Sequence, residues 1–276
     1  MVLSIADSTL LNNGVAMPWL GIGTWQAAAG RETEQSVAWA LELGYRHVDT
    51  AALYANEADV GRALRASGIP RDEVFVTTKV WNEDLRQRRV REAFDLSLNK
   101  LGLERVDLYL VHWPVPGAYL EAWKVLEELL AEGRTRAIGV SNFLVPQLET
   151  LLAKARIAPA VNQVEWHPWL QQPALVEFCR QHGIVFQAWS PLMQGRVGEE
   201  PELVRIARGH GKSPAQVAIR WGLQRQVVMI PKSVKHARIA ENAGVFDFEL
   251  TADEVAAIDR CDRGQRLGAD PNDFHF

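Results

Sequence analysis

At 276 residues, 47% hydrophobic and with a net charge of −4, the chain has enough apolar content to bury a sizeable core, as one large α/β domain or two smaller ones. The slightly acidic balance gives no reason to expect nucleic acid or an anionic membrane as partner. Two cysteines, Cys179 and Cys261, without metal-ligand or redox spacing argue against a disulfide framework and fit a reducing cytoplasm.

The opening residues carry no basic region and no long apolar stretch, and nothing later approaches the ~18–20 consecutive apolar residues of a membrane span, so a soluble, cytoplasmic protein is expected. Residues 8–11 and 15–17 flank Asn12-Asn13-Gly14 and read as a β-hairpin with an Asn-Gly turn, suited to plugging the bottom of a barrel. Short β-branched runs then alternate with longer segments of helical period. Strands are predicted at 20–23, 47–49, 74–79, 106–112, 137–140, 161–165, 185–189 and 227–230. Between them, apolar residues three and four apart predict helices at 32–43, 56–67, 90–101, 120–132, 145–155, 173–182 and 213–224. Ser213-Pro214 reads as a helix cap followed by a first-turn proline, and Gly44, Gly68, Gly102, Gly133 and Gly183 follow helix ends.

Eight strands alternating with helices, with no linker or composition break, favour a (β/α)₈ barrel spanning 1–276. A doubly wound sheet is the rival architecture. Its glycine fingerprint is incomplete, since Gly21-Ile-Gly23-Thr-Trp-Gln26 has glutamine where a third glycine belongs. The segment after Trp189 reads as a short loop, 193–202, and 264–276 as an extended tail without period.

Four polar residues fall at strand ends or just beyond one: Asp49, Tyr54, Lys79 and His112. Any one alone reads as an ordinary ion pair or a satisfied core residue, but in a barrel they converge on one mouth. Together they suggest proton transfer to a carbonyl oxygen. In this reading the Lys79 ammonium lowers the Tyr54 phenol toward the working range. Asp49 orients Lys79, and His112 aims the carbonyl. No side chain supplies hydride, so a nicotinamide cofactor is required. The basic loop Ile230-Pro-Lys232-Ser233, with Arg238, offers it a phosphate site. Trp25, Trp81 and Trp113 follow strand ends and suit an apolar substrate pocket, whereas Trp39, Trp123 and Trp221 lie in helical patterns and read as packing.

Gly44-Tyr-Arg-His-Val-Asp49-Thr-Ala with Tyr54 and Glu57-Ala-Asp-Val-Gly61 resembles the signature of the aldo-keto reductases. The Ile230-Pro-Lys-Ser stretch with Arg238 is similar to that family's second motif. Val140-Ser141-Asn142-Phe143, Asn162-Gln163-Val-Glu165-Trp-His167-Pro168 and Trp189-Ser190-Pro191-Leu192 match in order between them, from about Gly14 to the C-terminus. The resemblance implies Tyr54 as acid, Lys79 and Asp49 as its tuners and His112 as the orienting residue. It also implies contacts of Ser141, Asn142 and Gln163 with the nicotinamide carboxamide and stacking of Trp189 on the ring. Ser190 and Leu192 would line the pyrophosphate path, and Glu241 and Asn242 would reach the adenine. Lys232, Ser233 and Arg238 would bind a 2′-phosphate, hence NADPH rather than NADH.

The short loop after Trp189 and the tail are similar to the bacterial branch with 2,5-diketogluconate and glyoxal or methylglyoxal reductases. That implies a less covered site open to small dicarbonyls, keto-sugars and aromatic aldehydes, and the family resemblance as a whole implies a monomer. Glu165 and His167 are expected to be structural, with no metal bound. Two other classes stay open: a cofactor-binding protein with little turnover, and a metal-dependent barrel hydrolase.

Overall fold

The computed structural model describes residues 4–276. Strands β1 (Ser8–Leu10) and β2 (Ala16–Pro18) form the antiparallel hairpin. The eight that follow are parallel: β3 (Ile22–Gly23), β4 (His47–Asp49), β5 (Phe75–Val80), β6 (Val106–Val111), β7 (Thr135–Ser141), β8 (Val161–Glu165), β9 (Val185–Trp189) and β10 (Val228–Met229). They pair in sequence order, and the first meets the last through parallel bridges Leu20–Met229 and Gly23–Lys232. The sheet therefore closes into the predicted (β/α)₈ barrel.

Closure explains the sequence pattern. Every residue of β4, β5, β6 and β8 is buried, because one face fills the barrel and the other is covered by helices; such strands read as apolar runs rather than alternations. The hairpin plugs one end. Its Leu11 and Met17 pack with Phe75, Leu108, Leu110, Ala137, Val161 and Val228, and its tip is tied to the barrel wall by Asn12 Nδ2 to Pro159 O (3.1 Å) and Asn13 Nδ2 to Arg136 O (2.8 Å).

The predicted helices appear within a few residues as α1 (Arg31–Glu42), α2 (Glu57–Ala66), α4 (Val90–Leu101), α5 (Tyr119–Ala131), α6 (Val145–Leu152), α7 (Pro173–Gln181) and α9 (Pro214–Gln224). Four more are present: α3 (Asn82–Arg86), α8 (Pro201–His210), α10 (His236–Ala243) and α11 (Ala252–Asp259). Ser213 caps α9 reciprocally with Gln216. Gly61 lets α2 cross α4, since a Cβ there would lie 2.1 Å from Leu101 O. Among the described residues no helix is long and apolar enough to cross a membrane.

Beneath the hairpin lies His47, fully buried, with Nδ1 3.4 Å from Pro18 O and its ring edge-on to Phe75. Burial pushes its pKa from 6.5 down to about 4, with Asp49 opposing. The unfolded chain therefore takes up a proton below pH 6.5 that the folded one refuses until about pH 4. Stability should fall as pH drops through that window, by up to about 3 kcal/mol from this residue. Urea denaturation at pH 7 and pH 5 tests this. His47→Gln should flatten the dependence, and an unchanged slope would assign the acid sensitivity to other groups.

Candidate active site

Opposite the hairpin, the C-terminal ends of the strands bring the four polar residues together. Asp49 is the last residue of β4, Lys79 lies one from the end of β5, and His112 follows β6 directly. Tyr54 ends a 3₁₀ turn, residues 52–54, which the left-handed Ala55 (φ 57°) leads into α2. Lys79 Nζ donates to Asp49 Oδ1 at 2.6 Å, to Thr50 O at 2.9 Å and to the Tyr54 hydroxyl at 3.3 Å. The ring of His112 stands edge-on to Tyr54, with centroids 5.7 Å apart.

The electrostatics differ from the sequence-based expectation in one respect. The Tyr54 phenol is not lowered; burial, and then the Asp49 carboxylate, push its pKa well above the usual value. The physical reason is charge balance. Lys79 and Asp49 form a buried ion pair, so no net positive charge faces the phenol to offset its desolvation. Lys79 itself is lowered by burial, against the pull of Asp49. His112 is held well below its ordinary value by burial and by Lys79. Near neutral pH the site thus presents a protonated phenol and an uncharged imidazole.

A cavity of about 420 Å³ opens above these groups. Its lining includes Asp49, Tyr54 and His112, the aromatic walls Trp25, Trp81 and Trp113, and Ser141, Asn142, Gln163 and Trp189. Trp25, Ser190 and Lys232 also line an adjoining groove of about 550 Å³, which runs past Leu192 to Ser233, Arg238, Glu241 and Asn242. Every residue expected for the cofactor therefore lies along one continuous depression. Arg238 is exposed at its far end, in the first turn of α10, and enters no ion pair among the described residues. An elongated groove with an unneutralised cation at one end and a half-buried indole at the other suits a dinucleotide.

The sequence model of the Aldo/keto reductase family matches residues 19–263. The chain belongs to that family. It is 48% identical to the glyoxal reductase of Bacillus subtilis (strain 168) over 276 residues, covering 100% of both chains. It is 47% identical to the methylglyoxal reductase DkgA of Escherichia coli (strain K12), covering 96% of each. Among solved structures, the aldo-keto reductase MGS-M4 from a Medee basin deep-sea metagenome library superposes with a TM-score of 0.95. It is 41% identical, and the match covers 98% of this chain and 100% of that one. As a member of the aldo/keto reductases the protein is an oxidoreductase that works with a nicotinamide cofactor on carbonyl compounds.

Within that family frame, the carboxamide-binding candidates are already tied to one another. Asn142, at φ 64° after β7, donates to His112 O (2.9 Å) and Ser141 Oγ (3.1 Å) and accepts from Trp189 Nε1 (2.8 Å). Gln163 Nε2 donates to Asp49 Oδ2 (2.7 Å) and Gln187 Oε1 (2.9 Å). Both amide nitrogens are thus committed to the protein, and what they can still offer a carboxamide is acceptor capacity on their oxygens.

Other parts of the site carry no motif. Asn56 accepts from the hydroxyls of Thr50 (2.8 Å) and Thr24 (3.5 Å) and donates to Thr24 O (3.0 Å), joining the loops after β3 and β4. The tail does not lie clear of the site. Phe276 stacks parallel on Trp81 (5.7 Å) and stands edge-on to Trp113 (5.1 Å), Phe274 packs on Trp113 (5.1 Å), and Arg86 holds Phe276 O at 2.8 Å. The short loop after β9 therefore leaves a mouth that the tail partly covers. Leu53, next to Tyr54, and Phe276 of the tail join the cavity wall; the aromatic residues of the unpatterned tail are the one visible sign of Phe276's role in the sequence.

Glu165 and His167 are fully buried and 3.0 Å apart. No group of three His, Cys, Asp or Glu side chains placed to hold a metal occurs among the described residues.

Proposed function

We propose that the protein reduces aldehydes and ketones to alcohols with NADPH, with Tyr54 as the general acid. The observation that carries this reading is the meeting of Tyr54, Lys79, Asp49 and His112 at the floor of a cavity continuous with the Arg238 groove. NADPH, when bound, supplies the hydride. Trp189 backs the nicotinamide ring, with its indole fixed by Asn142. Gln163, Ser141 and Asn142 meet the carboxamide, Ser190 and Leu192 line the pyrophosphate, and Lys232, Ser233 and Arg238 hold the 2′-phosphate.

His112 and Tyr54 then divide the work. Among the described residues the buried His112 Nδ1 has no hydrogen-bond partner; since a buried N–H without an acceptor is costly, the proton is assigned to Nε2, which can donate to the substrate oxygen. A neutral imidazole is a weak acid, so the proton that completes the alcohol comes from the Tyr54 hydroxyl. A developing alkoxide is a far stronger base than phenolate, so transfer runs downhill even from a phenol with raised pKa. Lys79, 3.3 Å from that oxygen, donates a hydrogen bond that holds the phenolate left behind. The reverse reaction needs phenolate at the start, so oxidation should accelerate toward alkaline pH.

The cavity walls are aromatic and apolar apart from the polar floor, which suits small dicarbonyls and aromatic aldehydes. All the groups come from one chain, so the site is complete in a monomer and in one domain. Arg238→Ala should weaken NADPH by about tenfold or more, as loss of a charge-assisted contact to a phosphate does, and leave NADH nearly unchanged. Equal losses for both cofactors would remove Arg238 from the 2′-phosphate site.

A further inference from the structure

Glu165 ends β8 with a fully buried carboxylate, absent from the cavity lining and turned instead to the tail. Its Oε1 accepts the backbone N–H of Leu267 at 2.6 Å, and its two oxygens share that of Gly268 at 3.2 Å. His167 Nε2 lies 3.0 Å from Oε1, and because a carboxylate oxygen can only accept, Nε2 is the donor. The Arg266 guanidinium lies 3.9 Å from Oε2. A buried carboxylate is costly unless every donor around it is used, and here the donors come largely from one short strap of the tail.

The strap lies against Trp189. A Cβ on Gly268 would sit 2.4 Å from Trp189 Cη2 and 3.3 Å from Glu165 Oε2, so only a glycine fits between carboxylate and indole. Gly268 and Ala269 line the cavity, and the chain continues from them to Phe274 and Phe276 over Trp113 and Trp81.

We propose that Glu165 is a positioning residue for the reduction. It clasps the strap at Leu267 and Gly268, and so fixes both the tail wall of the substrate cavity and the indole behind the nicotinamide. The second half of that statement rests on the role given to Trp189 above. A glutamine at 165 keeps the shape but offers one acceptor oxygen where three donors converge, so the strap should loosen while the acid Tyr54 is untouched.

The test is carried out on the full chain with NADPH. In Glu165→Gln, the Leu267 and Gly268 amides should lose hydrogen-exchange protection, and KM for an aromatic aldehyde should rise about tenfold. Single-turnover reduction at saturation should fall less than about threefold, the split expected when positioning rather than chemistry is lost. Leu267→Pro removes the partner N–H and should raise KM similarly, and the double variant should be no worse than either single one, as for two halves of one contact.

Retained protection at both amides with KM within about twofold of wild type would overturn the proposal, as would fully additive effects in the double variant. If Glu165→Gln does not fold, Leu267→Pro and Gly268→Ala decide it, unchanged KM in both being the overturning result. Trp189→Ala separates the two readings. Unchanged NADPH affinity in it would refute the role of Trp189, whereas weakened NADPH together with an unaffected Glu165→Gln would refute the clasp.

Discussion

Tyr54→Phe is expected to cut carbonyl reduction by about 100- to 10,000-fold, the usual contribution of a positioned general acid, and to leave NADPH affinity within about twofold. The substitution removes one oxygen. Among the described residues that oxygen has a single hydrogen-bond partner, Lys79 Nζ at 3.3 Å, and Lys79 keeps its stronger contacts to Asp49 and Thr50. The ring continues to pack edge-on to His112, so cavity shape is preserved. Tyr54 does not line the groove that ends at Arg238, which is why cofactor binding should be spared. The measurement is NADPH oxidation with methylglyoxal and an aromatic aldehyde, alongside fluorescence titration of NADPH. Retention of most turnover would exclude Tyr54 as the acid. Loss of NADPH binding instead would mean that the phenol shapes the cofactor site.

The barrel and its polar floor are legible in the amino-acid sequence because both depend on local pattern. Strand ends at Asp49, Lys79 and His112 follow from apolar runs that stop at a polar residue, and a barrel turns all such ends the same way. What the pattern does not carry is pairing across the chain. The helix α11 lies beyond β10, and its start depends on the reciprocal cap of Thr251 with Glu254 rather than on a long apolar period. The tail has no period at all. Its place over the mouth is decided by Glu165, Trp81 and Trp113, which lie far from it in sequence and meet it only in three dimensions. The sign of the Tyr54 shift is hidden from the sequence for the same kind of reason. It depends on how completely Asp49 neutralises Lys79, and that is a matter of a 2.6 Å distance and of burial.

That neutralisation makes Lys79 the position where chemistry and stability are hardest to separate. Lys79→Met keeps the length of the side chain and removes the charge. Asp49 is then left 2% exposed, with Gln163 as its remaining side-chain donor. Breaking a buried pair from one side costs about 3–5 kcal/mol, because the other charge stays desolvated. The variant should therefore unfold at markedly lower urea concentration. Activity should fall as well, by about 100-fold or more, because the phenolate formed from Tyr54 loses the hydrogen bond that Lys79 donates. Lys79→Met with Asp49→Asn decides between the two effects. Removing both charges should recover much of the stability, since no uncompensated ion remains, but none of the activity. If the double variant regains turnover along with stability, the ion pair serves the fold alone and Tyr54 acts without it. If it regains neither, the cost lies in packing at the strand ends rather than in charge. Recovery of stability without turnover would show that the pair is retained for the proton, at a position where an uncharged pair would fold as well.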